Sequence, residues 1–209
     1  KNNASYDRFW EARKIWGGIV NYSRTWGNQV MSYVAINHGA NDTIDVLEVQ
    51  RILIYRHIGW LNALRHRLRQ PSTFSPKKIK SVRSLLLSDE EEAHFWKDNI
   101  QPFVPSNDYQ TLLDKKNGAT QLVRAQGEHL KNLMHEDQLI EDFRHMQLMS
   151  TLEEFYNLQG KCERIANTPF PRQYAFFSKI FTWIFILLLP FGMVGEFAAM
   201  NHSLIWITI

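Results

Sequence analysis

The sequence contains a single cysteine, Cys162, among its 209 residues. One cysteine excludes an internal disulfide and suits a reducing compartment. A thiol that meets a histidine can act as a nucleophile, but nothing in the spacing of His129 or His145 brings either one to Cys162. A lone cysteine is more often a small core residue, so we predict a buried and unreactive thiol.

No proline occurs before Pro71, so nothing in the first 70 residues interrupts a helix in the way that proline does. The sequence also has no glycine-rich phosphate loop. Apolar residues recur at helical spacing, and no strand pattern or internal repeat competes with them. A linker at 70–76 and the pair Pro102 and Pro105 interrupt the pattern. The sequence therefore predicts an all-α protein. The predicted helices span residues 5–37 and 44–69, a short helix that starts with Ser88, and then 118–134 and 136–166.

The second helix has predictable ends and faces. Asp42 or Thr43 can cap its start. One face carries an apolar seam, and His57 and His66 are interpreted as packing or surface residues. The seam consists of Leu47, Ile54, Ile58, Leu61, Leu64 and Leu68. The arginines outside it, which we predict to be solvated, are Arg51, Arg56, Arg65, Arg67 and Arg69.

Charge of one sign is not in large excess, because 24 Lys and Arg residues face 21 Asp and Glu residues. The cations form no stripe, so we predict no nucleic-acid partner. Glu91-x-x-His94 and Asp142-x-x-His145 resemble halves of a di-metal bundle site, which also needs two further inward glutamates. Both motifs lie in charged surroundings and read better as surface. We predict no metal, no cofactor, no catalytic residue and no enzyme activity.

One long hydrophobic run is present, from Ala175 to Val194, interrupted only by Lys179. About twenty residues is the helix length that crosses a hydrocarbon core of roughly 30 Å. Basic residues precede the run and none follows it up to residue 202, so the positive-inside rule predicts a cytoplasmic helical body. A second apolar run at 203–209 would return inward as a helical hairpin. The alternative is a buried helix in a soluble core.

Four segments resemble bestrophins of the bacterial type. Residues 2–24 (NNASYDRFWEARKIWGGIVNYSR) are similar to the inner half of that family's second transmembrane helix. Residues 160–171 (GKCERIANTPFP) resemble the segment that leads into the family's third transmembrane helix. Residues 187–192 (LLLPFG) resemble a segment within that third helix. Residues 57–69 resemble the cytoplasmic helix between them. The matches run in the family's order along nearly the whole chain.

The resemblance implies one bestrophin-like domain over residues 1–209, in a homopentamer with a pore on the five-fold axis. Residues 1–37 would be the inner part of the second transmembrane helix running into the cytoplasm. Residues 38–171 would be cytoplasmic helices, and 172–209 the third and part of the fourth transmembrane helices. It implies a multi-pass protein of the cell (inner) membrane whose partners are its own copies, lipid and permeating monovalent ions.

The resemblance also implies what this fragment lacks. Both ends look cut, so the family's first transmembrane helix and its apolar neck would precede Lys1, and the calcium clasp of animal members would follow Ile209. A second constriction in the family is an apolar side chain on the helix before the Gly-x-Cys-Glu-Arg segment. Counting back from Gly160 places it near Phe143, with Ile140 one turn earlier.

The leading functional hypothesis is a passive channel for small monovalent ions, chloride or other anions foremost. Two alternatives stay open: a non-conducting membrane scaffold with the same fold, and a soluble helical enzyme. The sequence leaves anion against cation selectivity open, because the family's selecting neck would lie upstream of Lys1.

Overall fold

The structure, a computed structural model, describes residues 2–36, 44–70, 89–113, 115, 117–168 and 172–199. Among these residues every regular element is helical, as the sequence predicts. The chain divides into two compact units, Asn2–Thr168 and Pro169–Ile209, and each is treated separately below. The α-helices are α1 (Asn2–Tyr33), α2 (Val46–Arg69), α3 (Asp89–Asn99), α4 (Ser106–Leu113), α5 (Gly118–His135), α6 (Asp142–Asn167) and α7 (Arg172–Ala199), with a 3-10 turn at Gln101–Phe103.

The core of the first unit is built by α1, α2, α5 and α6. Helix α1 contributes a seam of inward-facing residues at three- and four-residue spacing, in which the partly buried Tyr22 lies between Ile19 and Trp26. That spacing keeps side chains on one face of a 3.6-residue helix. The buried members of the seam are Ile15, Ile19, Trp26 and Val30. Full burial of each such side chain contributes roughly 1.5–3 kcal/mol, so the seam alone fixes which side of α1 faces inward.

Two helix ends differ from the sequence prediction. Helix α1 ends at Tyr33, and the backbone N–H of Ala35 instead donates to the carbonyl of Leu139. Helix α2 is capped by Asp45, whose carboxylate accepts from the N–H groups of Leu47 and Glu48. The predicted caps at residues 42 and 43, like the predicted start at 88, lie outside the described residues.

The segment between α5 and α6 is longer than predicted, because α6 begins at Asp142 and not at residue 136. Gln138 has a positive φ of 52°, a left-handed conformation that a continuing α-helix cannot include. Helix α4 was missed altogether, since its eight residues are too few for a periodic signal.

The second unit is described by α7 alone. Its segment Phe176–Gly195 has 20 residues and a mean hydropathy of 1.9, and none of it is buried inside the protein. Among the described residues this is one helix long and apolar enough to cross a bilayer. Pro190 lies within the helix and has no backbone N–H. The carbonyl group one turn earlier therefore needs a hydrogen bond from another group.

Candidate pore-lining surface

The structure separates the two residues predicted to form a constriction. Phe143, in the first turn of α6, is 83% exposed, whereas Ile140 is 3% exposed and belongs to the core. Burial in the chain's own core leaves Ile140 no surface to offer to ions. The predicted constriction therefore rests on Phe143, and it remains a prediction.

Helix α6 meets α1 along its whole length through polar contacts. The Thr151 hydroxyl donates to Gln29 Oε1 at 2.7 Å, and the Tyr33 hydroxyl donates to Gln147 Oε1 at 2.7 Å. Gln147 is one turn after Phe143, so Phe143 lies on the side of α6 that faces α1. Phe143 thus precedes by one turn the residue that accepts from Tyr33 in the last turn of α1.

The opposite ends of α1 and α6 are tied by charge. Arg8 donates to the carbonyl oxygens of Ile165 and Thr168, the latter at 2.6 Å, where the last turn of α6 has unsatisfied carbonyls. Arg164 forms an ion pair with Glu11 at 2.7 Å. The two helices are thus fixed antiparallel, with the residues 160–168 motif against the start of α1.

Helix α1 shows solvent a polar stripe on the side next to α6. Thr25 and Ser32 lie four residues before and three residues after Gln29, so helical spacing places them on the adjoining face. All members of this stripe are exposed: Lys14, Asn21, Thr25, Asn28 and Ser32. Between Ala12 and Ile36 the chain has no Asp or Glu. The polar stripe therefore combines neutral hydrogen-bonding groups with a cation and no carboxylate.

Helix α1 also shows an apolar stripe on the side next to α2. Val20 and Gly27 lie three residues before and four residues after Ser23, whose hydroxyl contacts His57 Nε2 of α2 at 2.9 Å. The stripe consists of Phe9, Trp16, Val20, Gly27 and Met31, with Phe9 60% and Met31 56% exposed. Its seven- and four-residue steps are those of a helix that packs against another helix.

Helix α2 is held by a buried ionic network that the sequence reasoning missed. Arg56 is 5% exposed. It donates to Asp108 Oδ2 from Nε and Nη2 at 3.0 and 2.8 Å, and to Gln126 Oε1 from Nη1 at 2.8 Å. Nη1 also contacts His129 Nδ1 at 3.0 Å, which makes that nitrogen an acceptor because a guanidinium can only donate. The predicted solvated position of Arg56 is wrong, since its partners come from α4 and α5.

His129 is kept neutral by this network. Burial, and then the positive charge of Arg56, lower the pKa of His129 to about 4. The arrangement stabilises the contact of α2, α4 and α5 and leaves no basic nitrogen available at neutral pH. It reads as a structural site.

A second buried histidine lies among aromatic rings, as the packing interpretation predicts. His57 is 4.6 Å from the ring of Phe155 and 5.1 Å from that of Trp60. Since the Ser23 hydroxyl donates to the carbonyl of Ile19 at 2.7 Å, it accepts from Nε2 of His57. Burial lowers the pKa of His57 to about 4.

The Gly-x-Cys-Glu-Arg segment owes part of its position to Glu163. Its carboxylate accepts from Asn117 at 3.1 Å and from Gln159 at 2.9 Å, and Gln159 in turn accepts from the Trp60 indole at 2.9 Å. Cys162 is buried beside it, as predicted, and burial raises the pKa of its thiol. A thiol with a raised pKa is a poor nucleophile.

The two motifs that resemble halves of a di-metal site were compared with the side chains that the structure describes. Among the described residues no cluster of three or more His, Cys, Asp or Glu side chains could hold a metal ion. Arg144 of the Asp142-x-x-His145 turn pairs with Glu141 at 3.4 Å. His145 is only partly exposed and its Nε2 is buried, so the predicted surface position of this histidine is wrong.

Comparison with known proteins identifies the family of this chain. The family described as "Bacterial/Fungal Bestrophin protein" matches residues 1–209, so the chain belongs to the bacterial/fungal bestrophin family. This agrees with the resemblance drawn from the four segments, and the family is one of channels, not a class of enzymes.

Curated relatives carry channel names. A voltage-dependent anion channel-forming protein of Ralstonia nicotianae is 26% identical over 93% of this chain and 53% of its own length. The voltage-dependent anion channel-forming protein YneE of Escherichia coli is 28% identical over 94% of this chain and 53% of its own length. The chain thus spans about half the length of the curated relatives it matches.

Solved structures agree on the fold. A mutant of a bacterial bestrophin homologue from Klebsiella pneumoniae has a TM-score of 0.68 at 22% identity, over 99% of this chain and 64% of that one. This likeness shows the fold.

Proposed function

We propose that this chain is part of a subunit of a homopentameric channel that passes small monovalent ions, anions foremost, passively across the cell (inner) membrane. The observation that carries the proposal is an 83% exposed phenylalanine, Phe143, beside the polar stripe of α1, in a chain of the bestrophin family. The names of the curated relatives favour anions.

In this proposal the polar stripe lines the passage. Amide and hydroxyl groups can replace part of an ion's hydration shell, and a stripe with Lys14 and no carboxylate favours anions over cations. Five copies would surround the axis with five cations. This charge supports the preference of the proposed channel for chloride.

Phe143 then forms the constriction. A five-fold ring of apolar side chains raises the cost of keeping an ion hydrated and can close by dewetting, without a charged binding site. Because Ile140 is buried, we assign it a supporting role beneath the ring and not a place in the wall.

We further propose that α7 crosses the bilayer and that the helical body is cytoplasmic. Support comes from Lys161, Arg164 and Arg172 before the span and from Lys179 in its first turn, whereas no Lys or Arg follows the span up to residue 202. The non-conducting scaffold predicts the same assembly without current, and the soluble enzyme predicts a protein that needs no detergent.

The test is the reversal potential of the full-length protein in a planar bilayer under a steep sodium chloride gradient. Reversal near the chloride equilibrium potential supports the proposal, whereas reversal near the sodium potential makes it a cation channel on the same fold. Silent pentamers would establish the scaffold instead.

A substitution tests the constriction. Phe143→Ala should widen the ring and raise the single-channel conductance about twofold or more, because a large apolar side chain is removed from the narrowest point. Leu47→Ala is the matched control, since Leu47 is 72% exposed on α2 and outside the proposed wall. Unchanged conductance and selectivity in Phe143→Ala would remove Phe143 from the pore.

A further inference from the structure

A groove between α5 and α6 lies on the side of α6 away from α1. Its volume is about 670 Å³, and most of its lining is apolar: Val123, Met146, Met149, Leu152 and Tyr156. The Tyr156 hydroxyl donates to the carbonyl of Thr120 on α5, which fixes this side of α6 as the α5 side. Below, this surface is called the α5/α6 groove.

The α5/α6 groove also contains two polar groups that form no hydrogen bond or ion pair with the residues the structure describes, His145 Nε2 and Glu153. Nε2 of His145 is buried with no hydrogen-bond partner among the described residues. Glu153 lines the groove and is exposed, and none of the described ion pairs includes it. Arg124, the cation at the same groove, is already paired with Glu128 at 2.6 Å. The groove therefore offers an apolar floor and an unpaired carboxylate.

The apolar stripe of α1 has the complementary properties. Arg13 lies four residues after Phe9, and Arg24 lies four residues after Val20, so both cations border the stripe. Both are exposed and take part in no described ion pair. A Cβ added at Gly27 would meet nothing within 4 Å, which leaves room there for the side chain of an approaching helix.

A closed ring requires two such different surfaces. In a cyclic assembly each subunit buries one surface against the neighbour on one side and a second, distinct surface against the neighbour on the other. We propose that the apolar stripe of α1 in one subunit seats in the α5/α6 groove of the next copy, with Arg24 facing Glu153. This inference rests on the proposed homopentamer and names the contact that builds it. It also leaves the polar stripe and Phe143 unoccupied for the passage.

Charge reversal tests this contact. In the full-length protein in detergent, Glu153→Arg and Arg24→Glu should each lower the ratio of pentamer to smaller species about tenfold, because each places like charges opposite one another. The double variant should recover most of the loss. Mass is measured by light scattering. Asp98→Arg and Arg65→Glu, exposed residues of α3 and α2, make the same charge changes outside both surfaces and should leave the ratio unchanged.

Cross-linking supplies a second measurement. Val20→Cys and Met149→Cys together, in a Cys162→Ser background, should give a ladder of covalent oligomers on oxidation, and neither cysteine alone should. Pentamers that persist in both charge reversals and yield no ladder would overturn the contact. If the charge-reversal variants dissociate as expected but the wild-type pentamer carries no current, the channel proposal is overturned and the proposed contact stands. A wild-type protein that is monomeric would overturn both.

Discussion

Helices α1 and α2 differ in what they bury. Helix α2 takes a guanidinium, Arg56, and an imidazole, His57, into the interior and satisfies each with partners from neighbouring helices. Helix α1 leaves large apolar side chains such as Phe9 and Trp16 exposed. Arg56 and His57 of α2 find hydrogen-bond partners within one chain, whereas the exposed apolar side chains of α1 are not covered by the described residues. Helix α2 therefore holds the described helices together, and the exposed apolar side chains of α1 form the surface that we propose as a subunit contact.

The largest effect on stability is expected when the buried ion pair between Arg56 of α2 and Asp108 is removed. Asp108→Ala should lower the free energy of unfolding by about 3 kcal/mol or more, because it leaves a buried guanidinium without its carboxylate. Arg51→Met on the same helix removes an exposed pair with Glu48 and should cost less than about 1 kcal/mol. Near-ultraviolet circular dichroism during chemical denaturation, which follows the buried Trp26 and Trp60, measures both.

Equal losses in Asp108→Ala and Arg51→Met would mean that the Arg56 network is solvated, and α2 would then be no more an interior helix than α1.

The pH dependence of stability should come from α2 and its partner α5. The pKa values of His57 and His129 fall from 6.5 to about 4 on folding, so the unfolded chain binds more protons between those values. Stability is therefore complete above about pH 6.5 and declines as the pH falls towards 4, by on the order of 3 kcal/mol for each histidine. His129→Gln should flatten this decline by about half. A decline that is equally steep in His129→Gln would assign it to other groups.

The sequence predicted the helices with strong periodicity and failed where tertiary contacts decide. The start of α5 at Gly118 and the end of α2 at Arg69 were predicted correctly, because both helices carry a periodic apolar pattern. Burial of Arg56 could not be predicted, since its partners Asp108 and Gln126 lie 52 and 70 residues away in sequence.

The candidate site divides in the same way. The exposure of Phe143 and the burial of Ile140 depend on the turn at Gln138, whose φ no periodicity reveals. The two stripes of α1 could in principle be identified from the sequence, because their members recur in steps of three, four and seven residues. Deciding which stripe faces α6 required the contacts of Gln29 and Ser23.

The smallest effect on stability is expected at two adjacent glycines of α1, of which one faces solvent and the other faces α6. A Cβ added at Gly17 would meet nothing within 4 Å, whereas one at Gly18 would lie 3.0 Å from Cδ2 of Leu158 on α6. Alanine in a helix interior is favoured over glycine by about 1 kcal/mol, so Gly17→Ala should raise the free energy of unfolding by up to that amount. In Gly18→Ala the same gain is offset, because Leu158 must move a few tenths of an ångström within a packed seam, and the net change should be near zero or unfavourable. Thermal unfolding of the two variants side by side measures the difference. If Gly18→Ala were the more stabilising of the two, α6 would not pack on this face of α1, and the side assigned to the polar stripe would have to change with it.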